Sequence, residues 1–88
     1  SISYGKNTLS LLATGTNGDF PFVRNYFPVE GRFISEDDVA GEARVAVLGA
    51  NVAEKLFSDG VYPIDQSIRI NNIPFRVIGV MEKKGGSG

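Results

Sequence analysis

The sequence predicts an α+β domain: a small mixed sheet with two or three short helices and a C-terminal β-hairpin. Three observations point there. Ser67-Ile68-Arg69-Ile70 alternates polar and apolar residues, the period-two pattern of a strand. Asn71-Asn72 follows, and two residues that tolerate positive φ suit a two-residue hairpin loop before the apolar return run Ile73–Val80. The remaining helical signals are brief and interleaved with strand-like runs, in the order β-(short α)-β-α-β-α-β-β, with no internal repeat.

Each element follows in turn. Ser1 to Gly5 carries little local signal. Thr8–Thr14 reads as a strand with Leu9 and Leu11 on one face. Gly15-Thr16-Asn17-Gly18 breaks it, and Asn17 can cap one short helical turn from Asp19 to Arg24, with Pro21 in the first turn. Phe20, Phe22, Tyr26 and Phe27 make this the most aromatic segment. Val29–Phe33 reads as a short edge strand or an extended connection.

Ser35 opens a helix, with Asp38 three residues on in the position a capping box gives to Glu or Gln. Glu36, Asp37 and Asp38 suit the positive end of the helix dipole. Gly41, six residues after the cap, keeps this helix short. Arg44–Leu48 reads as a buried strand and Gly49 as the turn out of it. Asn51–Phe57 forms about two helical turns with Val52, Ala53, Leu56 and Phe57 on one face. Ser58-Asp59-Gly60 stops it, Gly60 being able to take a left-handed conformation.

In the hairpin, Ile68, Ile70, Phe75 and Val77 are expected to share one buried face packed on Val45, Val47 and Leu56. Phe75/Val77 and Ile78/Val80 fall on opposite faces, so the return strand should be central and covered on both sides. Pro74 fits near its start or at a position facing away from a partner. Residues 1–82 are read as a single lobe and 83–88 as a flexible, linker-like tail.

Composition narrows the chemistry. The 88 residues make one small domain or a piece of one, with 42% apolar and 22% charged content typical of a globular chain. At this size folding buries only about 60% of the unfolded surface, so independent stability is marginal. Net charge is -1 and the basic residues form no patch beyond Lys83-Lys84, which argues against nucleic-acid binding. No apolar stretch approaches the roughly 20 residues of a membrane span, and no signal peptide is visible.

Cysteine and histidine are absent, which excludes disulfides, thiolate nucleophiles and imidazole catalysis. Consecutive carboxylates on a helix point in different directions, so Glu36-Asp37-Asp38 reads as a solvated helix start and not a cation site. Gly49-Ala50-Asn51 lies between strand and helix but lacks both the glycines of a dinucleotide fingerprint and a Gly-Lys-Ser/Thr motif. The sequence thus offers no catalytic residue, no cofactor-binding residue and no metal ligand. Core packing is the usual fate of the aromatic group Phe20, Phe22, Tyr26, Phe27 and Phe33. A contact surface, if there is one, falls in Asn17–Phe27 and the turn Tyr62–Gln66, with Phe20, Phe22, Tyr26 and Tyr62 as candidate partner contacts.

The succession of short signals along the chain resembles the extracytoplasmic core domain of MacB/FtsX-type ABC transporter permeases. The matching pieces are Tyr4-Gly5, Gly15, Asn25-Tyr26, Glu30-Gly31-Arg32-Phe33, Glu36-Asp37-Asp38-Val39, Val45-Ala46-Val47-Leu48-Gly49, Leu56-Phe57, Pro63-Ile64 and Ile68-Arg69-Ile70 through Pro74–Val80. Two departures stand out: Asp65-Gln66 follows Pro63-Ile64 where the family has Gly, and Asp19-Phe20-Pro21-Phe22 replaces the commoner Asp-Tyr form. Asp tolerates a left-handed conformation better than most residues, so the turn can survive.

The resemblance implies an excised α/β lobe from the periplasmic domain of an inner-membrane permease. It implies a role in efflux or related transport and no ATP binding or hydrolysis by the domain itself. Its implied partners are the remainder of the permease with its ATP-binding domain, a periplasmic adaptor (membrane fusion) protein, and a second copy in a dimeric transporter. The competing reading is a small accessory or ligand-binding domain of an unrelated enzyme, which an apolar pocket with converging polar groups would favour.

Overall fold

Residues 1–10 and 27–83 are described by the structure, a computed structural model. They form β1 (Ile2–Tyr4), β2 (Asn7–Leu9), β3 (Pro28–Gly31), α1 (Glu36–Ala40), β4 (Val45–Leu48), α2 (Ala50–Leu56), β5 (Ser67–Ile70) and β6 (Ile73–Met81). All six strands join one mixed sheet. The α+β class and the terminal hairpin are as the sequence predicts. The aromatic segment and the helical turn expected at Asp19–Arg24 lie outside the described residues, as does the expected tail beyond Lys83.

β6 organises the sheet. Arg76 is matched to Val45 of β4 and to Ser67 of β5, so these strands flank β6 on opposite sides. Gly79 is likewise matched to Val47 of β4 and Gly31 of β3. One side of β6 therefore carries β4 in parallel, and the other carries β5 and then β3, both antiparallel. The parallel pair requires a crossover, which α2 and the following loop supply. β1 pairs β5, and β2 pairs β1.

The hairpin turn has the expected chemistry. Asn71 and Asn72 take φ of 51° and 68°, the double positive φ of a turn matched to strand twist. Ile68 lies opposite Phe75, and Ile70 opposite Ile73. Directly paired residues share a face, so this face continues through Ile2, matched to Ile70, and Leu9, matched to Ile2. Leu56 of α2 packs onto it, and Leu56, Ile68 and Val77 are fully buried. The Tyr4 and Phe57 rings meet at 4.4 Å, while the Tyr4 hydroxyl donates to Gln66 Oε1 at 3.1 Å.

Four expectations need correction, the first at Val80: the register shift beside β4 puts it on the Val77 face and in the core, not on the opposite face. Ser1–Gly5, without local signal, contains β1, which pairs on one side with the neighbouring β2 and on the other with residues almost seventy positions away. In β4 the core residues are Ala46 and Leu48; Val45 and Val47 lie on the opposite face. Strand phase is set by what covers each face, and Val-Ala-Val-Leu is apolar in either phase. Phe75 and Ile70 are only partly buried and pack on the margin of the core. The run Leu11–Thr14 of the first expected strand lies outside the described residues.

One close backbone contact explains two glycines. Gly31 has φ 67°, and a Cβ there would run into the Ile78 carbonyl oxygen. A Cβ on Gly79 would run into the Arg32 carbonyl oxygen. The Arg32 N–H donates to the Ile78 oxygen at 2.9 Å. Glycine allows this approach because it has no side chain to intervene. The Gly31-Arg32 and Ile78-Gly79 signals, far apart in sequence, are two sides of one contact.

Candidate functional site

Of the residues expected to contact a partner, Phe20, Phe22 and Tyr26 lie outside the described residues. Tyr62 sits in the loop after α2 and is 58% exposed. Its hydroxyl donates to Glu30 Oε2 at 2.6 Å, tying this loop to β3. Accepting that proton favours the neutral phenol, so the carboxylate raises the Tyr62 pKa. Asp65, in the same loop, takes φ 71°, a left-handed conformation that Asp tolerates better than most residues.

The acidic cluster is a helix start. The Ser35 hydroxyl accepts the Asp38 N–H at 3.1 Å, and the Ser35 N–H donates to Asp38 Oδ2 at 2.9 Å, completing a capping box. Arg32 Nη1 donates to the same oxygen at 2.7 Å. These bonds, Arg32 first and the Ser35 N–H second, hold the Asp38 carboxyl well below the usual carboxylate range and raise the Arg32 pKa. All of Asp38's geometry serves the turn. Among the described residues, no group of His, Cys, Asp or Glu is arranged to hold a metal ion.

An apolar groove of about 320 Å³ lies between α2, the outer end of β3 and the end of β6. Ala50, Ala53 and Phe57 face it from α2 and its end, Val29 and Met81 from the strands, and Val61 from the loop. Val29 is 65% exposed and Val61 37%. Lys83 Nζ and Glu54 Oε1, 3.4 Å apart, stand at its rim. Among the described residues its charged groups are this exposed rim pair alone and the rest of the lining is apolar, so the groove can receive apolar side chains. Sequence reading missed it because four separate segments build it. The faint linear trace is the pair Ala50 and Ala53, small residues three apart that leave room beside the helix.

The MacB-like periplasmic core domain family matches residues 1–88. The chain is 41% identical over 86 residues to the pyoverdine export ATP-binding/permease protein PvdT of Pseudomonas putida, and 40% identical to that of Pseudomonas aeruginosa. Each match covers 98% of this chain but only 13% of the relative. Among solved structures, the extracellular domain of the noncanonic ABC-type transporter YknZ from Gram-positive bacteria superposes with a TM-score of 0.84 at 24% identity. That match covers 96% of this chain and 44% of the other. The periplasmic region of MacB from Actinobacillus actinomycetemcomitans gives 0.69 at 31% identity, over 74% of this chain and 30% of the other.

Proposed function

This chain belongs to the MacB-like periplasmic core domain family, and from that premise we propose that it is a non-catalytic lobe through which an ABC transporter permease docks its partners during export. Family membership makes it a periplasmic domain of an inner-membrane transporter. The observation that carries the proposal is the match over the whole chain, supported by 41% identity to an export permease. The lobe spans residues 1–82, with the residues beyond serving as a connection.

The work of the lobe is mechanical. It transmits the motion of the permease to a periplasmic adaptor within a dimeric transporter, and ATP is hydrolysed elsewhere. Phe20, Phe22, Tyr26 and Tyr62 supply the contact. Tyr62 supports this reading, because an exposed aromatic ring whose hydroxyl is already bound can be covered without leaving a polar group unpaired. Pyoverdine, named for the relatives, is the first cargo to assay.

The test replaces Phe22 and Tyr26 by polar residues in the full permease, after confirming that it still folds and inserts. Adaptor association and export should both fall, with ATP turnover by the ATP-binding domain retained. Unchanged association and export remove this segment from the interface. ATP turnover by the 88-residue chain itself, lost on a point mutation, would overturn the non-catalytic reading.

A further inference from the structure

The apolar groove beside α2 belongs to no function assigned so far. We propose that it is an intramolecular seat, filled by an apolar stretch of the same polypeptide's periplasmic domain lying outside residues 1–88. Three features support this occupant. In the periplasmic region of MacB, 31% identical, the match covers only 30% of that chain, so most of such a domain lies beyond this lobe and is available to cover it. The groove is small: ten of the described residues line it, against the roughly 20–30 residues a side of a free-standing interface. So small a patch binds weakly between separate molecules, whereas a tethered segment meets it at a high effective concentration.

The floor and rim define what fits. Val29, Ala53, Phe57, Val61 and Met81 offer only apolar surface, so the seated side chains are aliphatic or aromatic. Glu54 and Lys83 at the rim already neutralise one another at 3.4 Å, so the seat selects no net charge. The exposed surfaces of Val29 and Val61 are what the rest of the domain covers.

The inference rests on family membership and not on the docking role proposed above. Its test uses the purified full-length permease without adaptor. Single cysteines are placed at Val29→Cys and Val61→Cys, with exposed Asp59→Cys as control, in a background lacking other reactive cysteines. Maleimide labelling at positions 29 and 61 should be at least about tenfold slower than at 59, as expected of sites that react only after local opening. Cross-links from Lys83, in permease assembled from light and heavy isotope copies, should join peptides of one isotope only.

Control-like labelling at both sites overturns the proposal. So does protection that appears only when adaptor is added, which gives the groove to the adaptor. Mixed-isotope cross-links overturn it too, giving the groove to a second copy. Should a cysteine variant fail to fold, photochemical footprinting of the unmodified permease reads the same two side chains. None of these failures touches the docking role of the aromatic segment.

Discussion

The two helices of the described chain are held by opposite means. α1 has a complete capping box and a guanidinium on its Asp38, yet buries no residue; Val39 is 48% exposed. α2 starts at Gly49 with no side-chain cap, yet buries Ala53 and Leu56. Helices this short do not persist alone in water, so each needs support from outside its own backbone. For α1 the support is polar and local, a cap worth about 1 kcal/mol. For α2 it is apolar and distant, at about 1.5–3 kcal/mol for each large side chain buried. The core thus depends on α2, while α1 is an outlying turn fastened at its start.

The most forceful way to break this comparison is at Leu56. Leu56→Ala should cost about 3–5 kcal/mol, the range for a leucine lost from a packed core. That is a large share of the stability of any small domain. Urea unfolding measures it, and a loss under about 1 kcal/mol would show that α2 is not the keystone. Phe75→Ala comes next, at about 1–3 kcal/mol, because the ring is only partly buried and its site can relax. The order of the two is the sharper result. A larger loss at Phe75 would move the centre of the core into the hairpin.

The same contrast explains what was legible in the sequence. Ser35 with Asp38, Gly41, and Asn71-Asn72 act through neighbours within a few residues, and each was read correctly. The apolar face of α2 was also legible, because Val52, Ala53, Leu56 and Phe57 recur at helical spacing. β1 was not, since Ile2-Ser3-Tyr4 has no strand pattern of its own and is held between Asn7–Leu9 on one side and Arg69 and Ile70 on the other. The phase of β4 was misread for the same reason: α2 decides which side is inside. The close approach of Gly31 and Gly79 was visible only as two separate motifs, and the groove, built from four segments, not at all. Of the candidate contacts, Tyr62 alone lies among the described residues, exposed as a contact requires.

Smaller effects should appear at the two N-caps, with opposite signs. Ser35→Ala removes the hydroxyl that accepts the Asp38 N–H and should cost about 1 kcal/mol. Gly49→Ser does the reverse. Gly49 has φ -64° and ψ 155°, which any residue adopts, and an added Cβ meets nothing within 4 Å. A serine there supplies the missing cap and a stiffer unfolded chain, for a gain of about 0.5–1 kcal/mol. Thermal melts of both variants test the pair. A destabilised Gly49→Ser protein would mean that the entry to α2 has no room for a cap.

The smallest and most specific effect is that of pH on α1. The Asp38 carboxyl is held well below its ordinary range, chiefly by Arg32 and then by the Ser35 N–H. A carboxyl whose pKa is lower folded than unfolded contributes stability that is fully present above the unfolded value, about 3.9, and is lost as pH falls through the folded one. Wild type should therefore lose stability below about pH 4, while Asp38→Asn, which has no charge to lose there, should lose less. The difference between the two proteins, read from urea midpoints across that range, should narrow as the acid limit is approached. Arg32 is half exposed, so salt should reduce the same difference at neutral pH. Leu56 carries no titrating group, and the gap between wild type and Leu56→Ala should be flat over the same range. A wild type and Asp38→Asn that run parallel from neutral pH into acid would remove charge from the account of α1, leaving its cap to hydrogen-bond geometry alone.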